Sequence, residues 1–269
     1  MAVEQFTDGI EPQDPDAVIW RFMELWKFRD LLDSGQLYFR RSDKLEDVDE
    51  GVPPEEFARQ ALGLNPYDIN DIQKLNHDLG STAQFRQAFY INCWYLFDHE
   101  TAAMWSKYGR DGVAIVSRYS LLRAGLDSLA DRPHLGLVRY GWQPGTRWNL
   151  LRFITTKQKR FEHEREIRAL LWILNSGDSI NRHFDADGRV HSRPVYDPPP
   201  TLPEGVKRPI DLTTLITEVV ITPKAAAGIL EEVETLMRRA RLGAPVKASS
   251  LTQYARFLPT PEELHRFTG

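Results

Sequence analysis

Between Glu164 and Ile173 polar and apolar side chains alternate. Glu164, Glu166 and Arg168 take one set of positions, and Ile167, Ala169, Leu171 and Ile173 take the other. A period of two marks a strand with one buried face, on which side chains two apart lie roughly 6.5–7 Å from each other. The pattern predicts two carboxylates and a guanidinium along one side of a sheet whose reverse side is core. A helix competes with this reading, because Phe161, Ile167, Leu170, Leu171 and Leu174 fit helical spacing loosely. The plainest account of such a charge run is a solvated face that only keeps the sheet in solution.

The remaining pattern gives an element order. Residues 1–17 carry Asp, Pro and Gly and read as a flexible arm. Val18 to Leu32 starts apolar and continues with helix-like spacing through Phe22, Leu25, Trp26, Phe28, Leu31 and Leu32, until Ser34-Gly35 stops it. Gln36 to Arg40 is a short strand and Lys44 to Gly51 an acidic loop. Residues 53–88 form an amphipathic helical insert, opened by Pro53-Pro54-Glu55-Glu56. Strands follow at Phe89 to Leu96, Val113 to Val116 and Leu137 to Tyr140, with helices at Thr101 to Tyr108 and Tyr119 to Ala130. Asp185-Ala186-Asp187-Gly188 reads as a hairpin tip, and Pro194 to Pro209 as proline-rich loop. The chain closes with a strand from Leu215 to Thr222, a helix from Pro223 to Arg241 and a strand from Val246 to Ser249. The sum is one α+β domain over 18–269: a central, mostly antiparallel mixed sheet flanked by helices, with the insert and the closing strand–helix–strand added.

Composition narrows the setting. The 269 residues are 42% hydrophobic and 27% charged, ordinary values for a soluble globular protein. A net charge of −4 gives no global argument for nucleic-acid binding. Cys93 is the one cysteine, which excludes an internal disulfide and fits a reducing cytoplasm. The N-terminus lacks the pattern of a signal peptide, and no apolar stretch approaches the roughly 20 residues that cross a bilayer.

Several segments could carry chemistry. On a helix Glu100, Met104, Lys107 and Tyr108 share one side, although a carboxylate in a first turn already has a structural reason to be there. Met104 and Trp105 fit a core as well as a binding platform. Asp47 and Glu50 in the acidic loop would offer hard oxygen ligands to Mg²⁺ or Ca²⁺, but nothing at fixed spacing completes a metal site. The histidines form no pair at zinc spacing, and no P-loop or dinucleotide fingerprint is present. Cys93 sits in an apolar strand and reads as an inert thiol. Lys157, Lys159 and Arg160 make a basic strip which, with Arg21 and Arg168, would hold a phosphate or pyrophosphate. An ion-pair ladder with Glu162, Glu164 and Glu166 explains them equally well.

Taken in order, Trp20-Arg21-Phe22-Met23, Leu37-Tyr38-Phe39, Glu46 to Gly51, Cys93-Trp94, Glu100, Met104 to Gly109, Gly112 to Ile115, Lys157 with Phe161 to Arg168, and Val219 to Pro223 resemble the bacterial domain-of-unknown-function family 2971 (DUF2971). The resemblance covers about 18–251 and implies a family, not an activity. More distantly, strand order and spacing resemble ADP-ribosyltransferases. Those enzymes place an Arg or His on a first strand, a Ser or Tyr on a second and a Glu on a later one. The matching positions are Arg21, the strand from Phe89 to Trp94, and Glu164 or Glu166. The chain departs from that pattern at Asn92-Cys93-Trp94, where Ser-Thr-Ser would stand.

The resemblance implies an NAD⁺- or nucleotide-using transferase, in a toxin or phage-defence setting. Glu164, Glu166 and Glu100 are its candidate catalytic residues. Arg21, Lys157, Arg168, Trp105 and Tyr108 are its candidates for binding substrate and phosphate. No metal is expected, NAD is the candidate cofactor, and the partner is a nucleotide or a macromolecular acceptor rather than a membrane. Two alternatives remain open. One is a metal-dependent phosphodiesterase using Asp47, Glu50, Glu164 and Glu166 with Lys157. The other is a non-catalytic module that binds through Trp20, Trp105 and Tyr108.

Overall fold

Val18–Glu24 is a strand and not the first turns of a helix. Ile19 and Met23 enter one buried layer, and Trp20 and Phe22 enter another on the opposite side. With both faces covered, the polar–apolar alternation of a strand is lost, so the run also fits helical spacing. The helix begins only at Leu25. It ends as expected at Ser34, where Gly35 takes φ 63° and donates its N–H to the Leu31 carbonyl.

The computed structural model describes residues 4–5, 11–47, 49–109, 111–131, 133–143, 148–173, 182–184, 190–192 and 202–252. In chain order the strands are β1 (Glu4–Gln5), β2 (Val18–Glu24), β3 (Gln36–Arg41), β4 (Phe89–Leu96), β5 (Gly112–Arg118), β6 (His134–Leu137) and β7 (Arg139–Tyr140). There follow β8 (Thr156–Lys157), β9 (Glu166–Trp172), β10 (Arg182–Phe184), β11 (Val190–Ser192), β12 (Gly205–Pro209), β13 (Glu218–Ile221) and β14 (Val246–Ala248). Ten of these form one open sheet in the order β1-β6-β9-β4-β2-β5-β13-β14, with β3 also on β4 and β12 on β3. Only β1–β6 and β13–β14 pair in parallel within it, so the α+β expectation of a mixed, mostly antiparallel sheet holds.

The helical insert consists of helices Glu55–Leu62 and Ile69–Phe85. Other expectations change. The strand expected at Leu137 to Tyr140 divides into β6, which ends at Leu137, and β7 in a separate two-stranded sheet, and the strand expected from Leu215 begins only at Glu218. The proline-rich stretch ends in a strand, β12, which pairs with β3 through the register Val206↔Phe39. The last helix spans Ile229–Arg239 and starts later than expected, because Gly228 before it takes φ 89°. Residues 11–17 are tied to the helix Tyr119–Asp127, Arg123 pairing with Glu11 and Ser120 with Asp16. The tip Asp185 to Gly188 lies outside the described residues, between the antiparallel strands β10 and β11.

The sheet has two unequal faces. The larger core covers one of them with Phe28, Leu122, Val233 and the inward side chains Trp94, Ile115, Ile167, Ala169 and Leu171. On the other face two smaller clusters form, one around Trp20, Phe22, Tyr95 and Trp105, the other around Ile91, Ile154 and Leu170. Glu166 and Arg168 fall in the seam between them, since Tyr95 opposes Glu166 and Cys93 opposes Arg168 across the β4–β9 pairing. Among the described residues no helix is long and apolar enough to cross a membrane.

Candidate functional site

The seam is filled by charge. Lys157, the last residue of β8, is followed by a 3₁₀ turn, Lys159–Glu164, and by Arg165 in the left-handed conformation at φ 45°. That turn folds Glu164 back beside Glu166. As a result the Lys157 ammonium donates to both carboxylates, to Glu164 at 2.7 Å and to Glu166 at 2.9 Å. Glu164 also accepts from Lys107 Nζ at 2.6 Å and from the Tyr108 hydroxyl at 3.2 Å. Tyr108 in turn stacks on Tyr95, with ring centroids 5.3 Å apart.

Deeper in the seam, Arg168 Nε donates to Glu166 at 2.6 Å, and its guanidinium also reaches the Ile154 carbonyl and Glu50. Tyr140 closes the group by accepting the Glu166 backbone N–H at 2.7 Å. Glu50, Glu164 and Glu166 therefore face Lys107, Lys157 and Arg168, three carboxylates against three cations. All are buried except Lys107, whose side chain is 39% exposed.

Burial and pairing set the protonation states. For Glu164, burial acts upward, but the charge of Lys157 and the hydrogen bond from Lys107 outweigh it and its pKa is lowered. For Glu166, burial dominates and its pKa is raised against the pull of Lys157. Lys157 is held charged, because Glu166 and Glu164 together overcome a desolvation that would neutralise it. Burial takes the Arg168 guanidinium down to about 9, opposed by Asp47. Burial, assisted by Glu166, pushes the Cys93 thiol well up, which suits an unreactive sulfur.

The structure separates the residues that sequence placed on one strip. Glu166 and Arg168 share a strand face as expected, but Glu164 stands on the turn before the strand. Arg21 does not join them. It lies on the other face of the sheet in line with Ile19 and Met23, its guanidinium 5.9 Å from the centre of the Trp94 ring and Nη2 donating to the Tyr38 carbonyl at 3.5 Å. Burial lowers its pKa to about 10. Arg21 and Arg168 therefore cannot grip one pyrophosphate together, and Arg168 is already engaged by two carboxylates.

Glu100 is a clasp rather than a member of the cluster. It accepts from Trp105 Nε1 at 2.7 Å, from the Ser250 hydroxyl at 2.7 Å, and from the Ser249 hydroxyl and Ser250 N–H. Burial acts against its charge, yet these hydrogen bonds win and its pKa is lowered. Trp105 is buried edge-on against Phe22 at 4.9 Å, and Trp20 is buried with its N–H on the Phe97 carbonyl, so neither offers a binding platform.

Sequence reasoning missed Lys107, Tyr140 and the pairing of Glu50 with Arg168. Lys107 and Tyr108 are neighbours at a helix end, but nothing in the spacing ties them to a carboxylate more than fifty residues away. A cleft of about 270 Å³ borders the cluster, lined among others by Asp47, Asp49, Glu50, Trp142, Lys157 and Gln158. Among the described residues no three His, Cys, Asp or Glu side chains come together as a metal site. The chain matches no protein-family model, no curated protein and no solved structure.

Proposed function

We propose that this protein is a glycosyl-transfer enzyme that uses a nucleotide donor, with NAD⁺ as that donor and Glu164 as the working carboxylate. One observation carries the reading. Glu164 is a fully buried carboxylate kept ionised by Lys107, Lys157 and Tyr108, and one of those partners, Lys107, reaches solvent. When the bond from ribose C1′ to nicotinamide breaks, its electron pair leaves with nicotinamide and the ribose becomes oxocarbenium-like. A carboxylate about 4 Å away stabilises that cation by roughly 4 kcal/mol at an effective dielectric of 20. That is close to three powers of ten in rate at about 1.4 kcal/mol per tenfold. The acceptor's lone pair then closes on C1′, and its proton passes to solvent.

Within this reading Glu164 takes the role rather than Glu166. Glu166 is deeper, has a raised pKa and is occupied with Lys157 and Arg168, so it positions Lys157. A place in the DUF2971 family, cytoplasmic residence and a part in toxin or phage-defence systems belong to the same proposal. The test is release of nicotinamide from NAD⁺ by the purified protein, with water, protein and nucleic acid offered as acceptors. Wild type should release it, and Glu164→Gln should lose about a thousandfold. No release with any acceptor, or a fully active Glu164→Gln, overturns the proposal.

The metal-dependent phosphodiesterase gains one observation, since Glu50 does meet the strip through Arg168. It has less support, because among the described residues no three His, Cys, Asp or Glu side chains gather where they could hold a metal ion. Mg²⁺-dependent hydrolysis of a phosphodiester, lost in Glu50→Gln, is the result that would favour it.

A further inference from the structure

We propose that Lys107 and Arg160, set around the Phe161 ring, form a seat for the diphosphate of a nucleotide, and that a diphosphate bound there draws Lys107 off Glu164. Three cations crowd this half-buried ring. Arg160 lies 4.8 Å from its centroid, Lys157 at 5.0 Å and Lys107 at 5.2 Å. Lys157 is buried and turned toward Glu164 and Glu166, so it supplies field more than an accessible donor. Arg160 is exposed, and among the described residues its guanidinium has no carboxylate partner. Lys107 is the most exposed member of the six-residue cluster, its side chain 39% exposed while the other five are buried.

Charge balance gives the seat its second property. Without Lys107 the buried remainder holds Glu50, Glu164 and Glu166 against Lys157 and Arg168, an excess of one negative charge. Lys107 is thus the surface counter-ion of a buried carboxylate, and a lysine head turns about a flexible stem. A diphosphate offers several charged oxygens in solvent and competes for that ammonium, while the planar guanidinium of Arg160 suits two oxygens at once. Lys107 moving to the phosphate takes its charge off Oε1 of Glu164, the oxygen it now caps at 2.6 Å, and leaves the Tyr108 hydroxyl at 3.2 Å as the donor there. Donor arrival and removal of that charge from the working carboxylate become one event.

The seat rests on the nucleotide-donor reading only for what the diphosphate belongs to, and its test is separate. Binding of inorganic pyrophosphate, ADP-ribose and NAD⁺ is measured by calorimetry on wild type, Lys107→Met, Arg160→Ala and, as a distant cation control, Arg238→Ala. All three ligands should bind wild type, and each of the first two substitutions should weaken pyrophosphate and ADP-ribose about tenfold, the control leaving them unchanged. With lysines carrying ¹³C-dimethyl labels, the signal missing from Lys107→Met should be the one that moves most on adding pyrophosphate. No pyrophosphate or ADP-ribose binding, equal binding by Lys107→Met and Arg160→Ala, or a stationary Lys107 signal overturns the seat, even if nicotinamide is released. Seat binding without nicotinamide release leaves the seat standing and sinks the glycosyl-transfer reading.

Discussion

Lys157→Met tests the physical premise of the site without reference to any reaction. Methionine keeps much of the buried stem but removes the charge that holds Glu164 at 2.7 Å and Glu166 at 2.9 Å. Breaking a buried ion pair from one side costs about 3–5 kcal/mol, because the stranded charge cannot return to water. Here Glu164 keeps Lys107 and Tyr108, and Glu166 keeps Arg168, which places the loss near the lower end, about 3 kcal/mol. At about 2–4 °C per kcal/mol for a chain of this size, the melting temperature should fall by roughly 6–12 °C.

The pH dependence has a definite sign. Glu166 already has a raised pKa, and losing Lys157 raises it further. A carboxyl whose folded pKa exceeds its unfolded value of about 4.3 opposes folding when ionised, and the penalty fades as pH drops through that window. Urea denaturation at pH 8, 6.5 and 5 should therefore show the full gap between wild type and variant at pH 8 and a smaller one at pH 5. A gap under about 1 kcal/mol at pH 8, or one that does not change with pH, would refute a buried network centred on Lys157.

Glu100→Ala should lower stability by about 3 kcal/mol at pH 7 in urea denaturation, since it strands the Trp105 N–H and the Ser249 and Ser250 donors. The Glu100 pKa is lowered in the fold, so that contribution is present above the unfolded carboxyl value and is lost as pH falls through the folded one. The gap between wild type and variant should narrow as pH falls below about 4. Gly112→Ala should destabilise by about 2 kcal/mol or more, because a Cβ there would stand 2.0 Å from the Met23 carbonyl oxygen. Gly80→Ala should raise the melting temperature, with a gain of about 0.5–1 kcal/mol, since Gly80 lies inside the helix Ile69–Phe85 with nothing within 4 Å of a Cβ.

Where one physical rule acted alone, sequence sufficed. Phe89–Leu96 is apolar and aromatic enough to be a strand and nothing else, and Gly35 ends its helix because no side chain opposes the left-handed turn. The two-faced character of Glu166 to Leu171 followed from alternation and holds in the structure. Legibility failed where long-range structure decided the outcome. Arg165 takes a left-handed conformation without being glycine, which no local signal announces, and this swings Glu164 off the strand yet toward Lys157. Arg21 alternates correctly in β2, but which face of the sheet β2 turns toward Glu166 depends on pairing with strands far along the chain. Glu50 read as one acid of an acidic loop because its partner Arg168 lies more than a hundred residues away.

The Glu100 clasp has a consequence for the order in which the molecule is built. Strand β2, near the start of the chain, lies inside the sheet, and it pairs with β4 and β5, while β13 and β14 close the flank beside β5. The serines that hold Glu100 come after β14, some 150 residues downstream of it. A ribosome must therefore release most of the chain before β5 gains its outer neighbour and Glu100 its partners. Pairings of such long sequence separation make folding slow, and they leave the apolar flank of β5 open in the meantime. Chains halted before Ser249 should gather on chaperones or aggregate, while chains that run past Ser250 with the same buried charges fold.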